Sequence, residues 1–394
     1  MIGVRLSQNT NPVTIPRKQS MSYIAFVSTF PTEANMRDGY FRRVHSVDQA
    51  FSDTGRIHLD IRFGKNLRKK IVSRDRNMQV MHLNAFLHFF LIFSVLRKSG
   101  IIYIHSIAKI PSILIQLIFL KKRVHFALDL HGVMVEELKL SGNRVKAYLY
   151  SWIERYCFKH SSLNVYVSEV MQTHFHQKYP NHPGENLIFA TNSNPQPSQP
   201  SQPSQPSQPS QPSQPITLLP DDVLMLYSGN CQPWQNISLM LDTMQKLTAP
   251  HVKFLILSGQ KRKFEKLIRH KNIPAGKISV ISVNPDELES YYELAHYGFI
   301  LRDDILVNRV ANPTKLVEYL QYGIIPVVKL VDIGDYARYE YEYIPYEELN
   351  NGLLPRKSQK NRDIYQEISR KYGSQPLQEA ISRIQNRYIT PTRA

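Results

Sequence analysis

Six consecutive Ser-Gln-Pro units at residues 198–215 divide the 394-residue chain into two parts. A proline at every third position favours polyproline II and excludes a helix or a central strand, because proline fixes φ and lacks an amide hydrogen. The repeat is also too polar to build a core. We therefore predict a disordered tail over 1–21, a first domain over 22–193, a spacer over 194–215 and a second domain over 216–394.

Both parts alternate short apolar segments with amphipathic ones. Helical spacing is present at 39–51 and again at 237–247. Strand–helix alternation predicts parallel strands joined by crossover helices. The predicted fold class is therefore α/β, with two doubly wound, Rossmann-like lobes joined by the proline-rich linker. The segments predicted as strands are 23–30, 101–106, 124–132, 161–169, 222–230, 252–260, 278–283, 297–304 and 324–330.

The formal net charge of +17 indicates an anionic partner, which leaves nucleic acid, a membrane surface or a phosphorylated substrate open. Zinc-finger spacing, an RNP-type aromatic strand and a basic zipper are missing from the sequence, which argues against nucleic acid. The two cysteines, Cys157 and Cys231, form no disulfide framework and favour a reducing, cytoplasmic setting.

Two apolar runs, 83–96 and 110–120, are shorter than the ~20 residues that a membrane-spanning helix needs. We interpret them as buried or membrane-grazing helices. The basic clusters at 65–70 and 121–123 flank these runs, so they are candidates for contact with an anionic lipid surface.

The most informative stretch is 301–328, LRDDILVNRVANPTKLVEYLQYGIIPVV. Pro313 suits the first turn of a helix, where free backbone N–H groups and the helix dipole favour a diphosphate. Lys315 adds a cation one turn in. Glu318 lies three residues later on the same face, where its carboxylate can accept two ribose hydroxyls.

This stretch resembles the donor-binding segment of retaining GT-B glycosyltransferases of the family 4 type. In these enzymes a helix with the pattern S/N-P-x-K-x-x-E-Y precedes a G-x-P-V strand. The matching positions are Asn312, Pro313, Lys315, Glu318, Tyr319, Gly323 and Pro326. The resemblance implies a GT-B fold, a nucleotide-diphosphate sugar as co-substrate without a further cofactor, and retention of the anomeric configuration. It also implies two groups of site residues: catalytic cations at Lys315 and Arg302, and donor contacts from Arg309, Asn312, Pro313, Thr314 and Glu318.

Two further segments support the same resemblance. The strand and turn at 226–237 supply Gly229 and Asn230 as expected donor contacts, and the loop at 30–44 supplies Gly39. Many relatives carry an arginine directly after the first glycine and a lysine five residues later, whereas this chain has Asn230 and Gln235. We therefore expect the charge on the donor phosphates to be met by Arg302, Arg309 and Lys315.

The segment 128–137, LDLHGVMVEE, puts Asp129 and His131 at the carboxyl end of a strand, where doubly wound sheets bind ligands. The resemblance places His131 near the reacting carbon of the sugar, and a purely structural role is the alternative. Glu136 and Glu137 either bind acceptor hydroxyls or begin a helix, and we favour the helix start.

The sequence departs from the family pattern at one further position. The first glutamate of the family's paired-glutamate motif falls at Val310 and is missing. Asp303 and Asp304 are adjacent rather than spaced as D-x-D, which predicts a metal-independent enzyme without metal ligands.

We therefore expect a hexosyltransferase that moves a sugar from a nucleotide-diphosphate donor to a glycan or lipid-linked acceptor. Its expected setting is bacterial surface polysaccharide or lipooligosaccharide synthesis, in the cytoplasm or peripherally on the inner face of the cytoplasmic membrane, with no nucleic acid as partner. Two alternatives stay open. One is a sugar-nucleotide epimerase of the same two-lobe fold, and the other is a non-catalytic glycan- or nucleic-acid-binding protein on a decayed enzyme fold.

Overall fold

The computed structural model describes residues 23–32, 35–36, 38–190, 216–274, 276–283 and 287–389. Within them the chain forms two lobes, each a largely parallel sheet with helices on both faces. This arrangement confirms the predicted α/β class with two doubly wound sheets. The predicted tail and the Ser-Gln-Pro linker lie outside the described residues.

The first lobe contains eight strands and six helices before the linker. The strands are β1 Ile24–Val27, β2 Arg56–Arg62, β3 Lys70–Ser73, β4 Met78–Asn84, β5 Ile101–His105, β6 Phe126–Asp129, β7 Leu163–Tyr166 and β8 Glu185–Ile188. The helices are α1 Gly39–Ala50, α2 Phe89–Lys98, α3 Leu114–Leu120, α4 Met134–Leu140, α5 Arg144–His160 and α6 Glu169–Lys178.

The strand order of this sheet is β3-β4-β2-β1-β5-β6-β7-β8, and only the edge pair β3–β4 is antiparallel. The chain runs from β1 towards β2 on one side and later from β5 towards β8 on the other. The order therefore reverses between β1 and β5, which makes the carboxyl ends of these strands a topological switch point. All four residues of β1 are buried, as expected for a strand covered on both faces.

Sequence reasoning missed β2 because its apolar residues alternate with charged ones. The charged side chains are nevertheless buried and paired: Arg56 and His58 both contact Asp48 of α1 at 2.7 Å. A buried ionic network of this kind hides the periodicity by which a buried strand is normally recognised.

The second lobe contains six strands and six helices, followed by a long terminal helix. The strands are β9 Val223–Ser228, β10 Val252–Leu257, β11 Ile278–Ile281, β12 Tyr297–Ile300, β13 Ile325–Val328 and β14 Ile344–Pro345. The helices are α7 Ile237–Lys246, α8 Lys261–His270, α9 Leu288–Leu294, α10 Leu306–Arg309, α11 Thr314–Gln321 and α12 Gln359–Lys371, and the terminal helix is α13 Ser374–Ile389.

This second sheet is parallel throughout, in the order β11-β10-β9-β12-β13-β14, so its switch point lies between β9 and β12. Apolar clusters cover both faces of each sheet. Helix α13 follows the second lobe in sequence but packs on the first, where Leu377, Ile381 and Ile384 join the cluster around Phe26 and Tyr103. The chain therefore returns to the first lobe at its end.

The two lobes touch directly at a region beside the cleft between them. Asp335 of the second lobe accepts hydrogen bonds from the backbone amides of Glu169 and Val170, at 2.7 and 3.0 Å, and so caps helix α6 of the first. Ser168 Oγ donates to the carbonyl oxygen of Val310 at 2.7 Å. These contacts hold the lobes together beside the cleft.

Candidate active site

A cleft of about 520 Å³ lies between the lobes, at the carboxyl ends of the strands that form both switch points. Doubly wound sheets bind ligands at this position, because the crossover loops diverge there. Ten of the eleven predicted site residues line the cleft: Gly39, His131, Gly229, Asn230, Arg302, Asn312, Pro313, Thr314, Lys315 and Glu318.

Lys315 is buried in the wall of the cleft. Its Nζ donates to Gln235 Oε1 at 3.1 Å and lies 3.8 Å from the centre of the Tyr227 ring, a favourable cation–π position. Gly229 allows this approach, because a Cβ atom at that position would lie 2.9 Å from Lys315 Nζ. Gln235, a departure from the family pattern, thus supports the lysine directly.

Arg302 supplies a second cation beside Lys315. Burial lowers the pKa of the Arg302 guanidinium to about 10, and burial together with Arg302 lowers the pKa of Lys315 well below its usual range. The Arg302 Nε has no hydrogen-bond partner among the described residues. Arg302 thus opposes the charge on Lys315 while the nearby Glu318 favours it, and a bound anion would further favour both cations.

Helix α11 points its first turn into the cleft. Pro313 takes the N-cap position, with the extended φ of −71° that the proline ring prefers, and the helix begins at Thr314. Asn312 Oδ1 accepts a hydrogen bond from the Tyr336 hydroxyl. Gly39, the first residue of α1, faces Thr314 across the cleft, since a Cβ atom there would lie 3.4 Å from Thr314 Cγ2. Two helix N-termini, one from each lobe, therefore converge on the same space.

Glu318 joins the two lobes through its carboxylate. One oxygen pairs with the guanidinium of Arg42 in the first lobe, and the other accepts a hydrogen bond from Tyr292 at 2.6 Å. The Glu318 side chain is 8% exposed and the Arg42 side chain 20%. The group predicted to accept ribose hydroxyls is thus engaged by an arginine from the opposite lobe.

His131 belongs to a buried network at the carboxyl end of β6. Its Nε2 and the Nδ1 of His105 each lie 3.1 Å from Asp129 Oδ2, while Arg43 pairs with the other carboxylate oxygen at 2.7 Å. Burial opposes the charge on Asp129, but Arg43 and the two imidazoles outweigh it and hold the pKa well below the usual range. Burial lowers the pKa of His105 to about 4, so its ring is neutral.

Among the described residues, His105, Asp129 and His131 are the one compact group with the composition of a metal site. Arg43 shares the carboxylate, and its positive charge disfavours a cation there. An N–H from each imidazole accounts for both 3.1 Å contacts. We therefore interpret the group as a hydrogen-bonded network that orients His131, and metal independence stays a prediction.

The structure does not bring Arg309 into the cleft. Its guanidinium is 51% exposed and pairs with Asp304, with one nitrogen–oxygen contact at 2.7 Å. Asn230 lines the cleft with an exposed side chain, and its carbonyl oxygen accepts from Tyr227 at 2.7 Å. Val310, at the position of the missing glutamate, is fully buried against the first lobe's core.

Glu136 and Glu137 fall in the first turn of α4, as favoured. Glu136 pairs with Lys178 at 2.8 Å. These contacts fit the helix start rather than a group free for an acceptor.

Sequence reasoning missed several residues of the cleft. Arg42, Arg43 and Trp234 line the cleft, but the sequence assigned them no role. Nor did it assign one to Tyr227 and Tyr292, which contact Lys315 and Glu318. The two arginines carried a usable signal, because basic residues near a helix N-terminus oppose the helix dipole and so need acidic partners elsewhere. Here those partners are Glu318 and Asp129.

No protein-family model and no curated protein matches the chain by sequence. Solved structures match it in fold. Sucrose-phosphate synthase from Thermosynechococcus elongatus superposes with a TM-score of 0.54 at 13% identity, over 93% of this chain and 94% of that one. HepE from Anabaena, in complex with UDP and glucose, superposes with a TM-score of 0.54 at 12% sequence identity, over 93% of this chain and 98% of that one. An α,α-trehalose-phosphate synthase (UDP-forming) from Burkholderia vietnamiensis superposes with a TM-score of 0.50 at 9% sequence identity, over 93% of this chain and 96% of that one.

These likenesses extend over both lobes and show that the chain has the two-lobe GT-B fold. The predicted resemblance is thus confirmed at the level of the fold. At identities of 9 to 13% the shared feature is architecture, so activity has to be argued from the cleft itself.

Proposed function

We propose that this protein is a glycosyltransferase that moves a hexose from a nucleotide-diphosphate donor to a glycan or lipid-linked acceptor. The observation that carries the proposal is the pairing of the buried Lys315 with the half-buried Arg302 beside the N-terminus of α11, since neither forms an ion pair with a carboxylate among the described residues. A diphosphate supplies the two negative charges that such a pair lacks. HepE, which shares the fold, was solved with UDP-glucose, and this makes a uridine nucleotide the first donor to test.

Negative charge develops on the leaving diphosphate as the bond to the sugar breaks. Lys315, Arg302 and the first turn of α11 converge where that charge would form, and they stabilise it more in the transition state than in the ground state. The site is already organised by Tyr227 and Gln235, so little reorganisation is needed during the reaction.

Glu318 is proposed to hold the donor ribose, because its carboxylate lies on the same helix face as Lys315 at the edge of the cleft. Arg42 pairs with this carboxylate. A bound ribose would therefore compete with Arg42 for it, and donor binding would loosen one contact between the lobes.

His131 lies across the cleft from the cationic pair and is proposed to face the sugar. Its Nε2 contacts Asp129 at 3.1 Å, which leaves Nδ1 as the ring nitrogen that can face the sugar. The Nδ1 atom has no hydrogen-bond partner among the described residues. Retention of configuration, independence of metal ions and a role in bacterial surface polysaccharide or lipooligosaccharide synthesis follow from the family 4 resemblance and are parts of this proposal. So is a location in the cytoplasm or on the inner face of its membrane.

Nucleotide binding tests the proposal directly. Isothermal titration with UDP and UMP is expected to show at least ~10-fold tighter binding of UDP, because only the second phosphate brings both cations into play. Binding of UDP should also take up protons, since an anion restores the lowered pKa of Lys315; titration in buffers of different ionisation enthalpy measures this uptake. In Lys315→Ala both the preference and the proton uptake should disappear.

Release of UDP from UDP-hexoses, with and without acceptor mixtures, then separates an enzyme from a binding protein. A protein that binds UDP but releases none from any nucleotide sugar would be a decayed enzyme. Equal affinity for UDP and UMP would contradict the diphosphate site itself.

A further inference from the structure

One layer of helices on the first lobe carries apolar side chains on both of its sides. Helices α2, α3 and α5 pack their inner sides on the same face of the first sheet, through residues such as Ile92, Leu117 and Phe158. Helices α2 and α3 contact each other, and α5 contacts the 3₁₀ segment Ile107–Ser112 that leads into α3. These elements form one continuous layer, whose outer side meets solvent.

The outer side of this layer is unusually apolar. On α5, four exposed residues recur at positions i, i+3, i+4 and i+7, the spacing by which a helix normally faces a core. Tyr148 is 78% exposed and Phe90 of α2 is 83% exposed. A ring contact of 5.5 Å joins Phe63 to Phe86 and extends the surface to the loop after β2. We name these residues the outer apolar surface: Phe63, Leu67, Phe86, Leu87, Phe90, Ile115, Phe119, Val145, Tyr148, Leu149 and Trp152.

Positive charge surrounds this surface. Asp75 is the only acidic residue between positions 61 and 127, and Glu154, the acidic residue of α5, is buried and paired with Lys178. The basic cluster at 121–123 follows α3 and lies near the end of α5. There burial, and after it the charge of Lys121, lower the pKa of His160. The basic residues around the surface are Lys65, Arg68, Lys69, Lys70, Arg97, Lys98, Lys121, Lys122, Arg123, Arg144, Lys146 and Lys159.

The surface begins beside the cleft. Phe63 follows the carboxyl end of β2 and Phe86 follows that of β4, at the same edge of the parallel sheet where His131 follows β6. Among the described residues no helix is long and apolar enough to cross a membrane. An apolar surface with a basic margin and aromatic side chains suits the interface of a bilayer, where apolar groups enter the headgroup region and cations meet anionic lipids.

We infer that the outer apolar surface is a docking site for an anionic lipid bilayer, on which α2, α3 and α5 lie flat with the mouth of the cleft beside the headgroups. The basic residues around the surface favour an anionic bilayer over a second copy of the chain, because the basic residues of two copies would repel each other. The inference rests on the proposed function only in its consequence, namely that a lipid-linked acceptor would reach the cleft from the membrane.

The chain offers its own fluorescent reporters for the test. It contains two tryptophans, Trp152 on the outer apolar surface and Trp234 in the cleft. In the full-length Trp234→Phe variant, phosphatidylglycerol-containing vesicles should shift Trp152 emission to the blue and protect it from iodide. In the Trp152→Phe variant, the same vesicles should leave Trp234 unchanged, while UDP alters it.

Matched substitutions then locate the contact. Phe90→Ser combined with Tyr148→Ser should weaken vesicle binding roughly tenfold or more, because two exposed aromatic rings no longer enter the interface. Leu354→Ser on the second lobe, where Leu354 is 68% exposed, should leave binding unchanged. Added salt should weaken binding to anionic vesicles, because it screens the attraction between the basic residues and the lipids. The double substitution Lys69→Gln with Lys70→Gln should also weaken it, because it removes two positive charges.

Three results would overturn the inference: no change at Trp152 with anionic vesicles, equal binding to phosphatidylcholine vesicles, or protection of Trp152 without lipid at a dimer mass in light scattering. UDP binding by the same samples keeps the two proposals apart. Vesicle binding without UDP binding would contradict the proposed function and support the docking surface. UDP binding without vesicle binding would support the proposed function and contradict the docking surface.

Discussion

The two lobes have the same doubly wound architecture, yet their basic residues are used in different ways. In the second lobe, Lys315 and Arg302 are drawn into the cleft, where burial lowers the pKa of both. In the first lobe most basic residues stay in water around exposed apolar side chains, and the buried Arg43 is neutralised by Asp129. A buried cation that forms no ion pair with a carboxylate is suited to binding a small anion. Exposed basic residues around an apolar surface are suited to binding an extended anionic surface such as a bilayer.

The cleft also divides its chemistry between the lobes. The second lobe presents cations and the N-terminus of α11, and the first presents a histidine oriented by Asp129. Glu318 and Arg42 connect the two halves. We therefore propose that the leaving group binds to the second lobe and that the sugar faces the first, and each role can be tested alone.

The largest expected effect is at Lys315. Lys315→Ala should lower kcat by ~100-fold or more, because this cation stabilises charge that forms only as the glycosidic bond breaks. Steady-state kinetics of UDP release measures the change, with folding checked by circular dichroism. Lys329→Ala is the matched control, since Lys329 is on the surface and pairs with Asp303 at 2.5 Å. Unchanged kcat and KM in Lys315→Ala would remove the main support for a catalytic second lobe.

The buried histidine of the first lobe should appear in the pH dependence of stability. Burial lowers the pKa of His105 to about 4, so the unfolded chain binds a proton there that the folded chain excludes. The free energy of unfolding should therefore fall as the pH drops from 6.5 towards 4, by about 2 kcal/mol between pH 7 and pH 5 from this residue alone.

Urea unfolding of His105→Gln should show a correspondingly shallower pH slope over that range. His270→Gln, on the exposed end of α8, should keep the slope of the natural chain, because its ring meets water in both states. The lowered pKa of Asp129 changes the free energy of unfolding mainly below the ordinary pKa of a carboxyl group, and therefore outside the range from pH 7 to pH 5. Parallel slopes for all three proteins would mean that the His105 ring is hydrated in the folded state.

Substitutions of Glu318 and Arg42, which pair between the lobes, should have smaller and opposite effects on donor binding. Glu318→Gln should raise the KM for the donor about tenfold with little change in kcat, because the ribose does not change during the reaction. Arg42→Ala should instead tighten UDP binding by up to about tenfold, since the ribose no longer competes with the guanidinium.

A 2′,3′-dideoxyuridine diphosphate sharpens this test. The natural chain should prefer UDP to the dideoxy compound, and Glu318→Gln should lose that preference. Weaker UDP binding in Arg42→Ala would instead show that Arg42 turns to the donor when the cleft is filled.

The smallest expected effect is that of metal removal. Dialysis against EDTA should leave UDP binding and UDP release unchanged, because Arg43 already neutralises the carboxylate between His105 and His131. Metal analysis of the purified protein accompanies the assay. A stoichiometric metal whose removal abolishes activity would turn the first lobe's network from an orienting device into a metal centre.

Much of the fold was accessible from sequence, because continuous apolar runs such as 101–106 and 324–330 have few alternatives to buried parallel strands. The stretch from Asn312 to Glu318 was accessible for a similar reason: proline, lysine and glutamate at fixed spacing on one helix determine their own relative positions. Strand β2 was not accessible, because Arg56 and His58 are buried only by virtue of Asp48 in a different element.

By itself, the sequence determined the alternation of apolar strands with helices in both lobes and the helix that begins after Pro313, since each depends on neighbours along the chain. Tertiary structure alone decided that Arg42 meets Glu318 across 276 residues, that Arg309 turns to solvent, that α13 returns to the first lobe and that the stripe on α5 faces outwards. The physical reason is that periodicity defines a helix face but not its partner. Whether an apolar or charged face meets a core, an opposing lobe or water depends on long-range packing that no local pattern encodes.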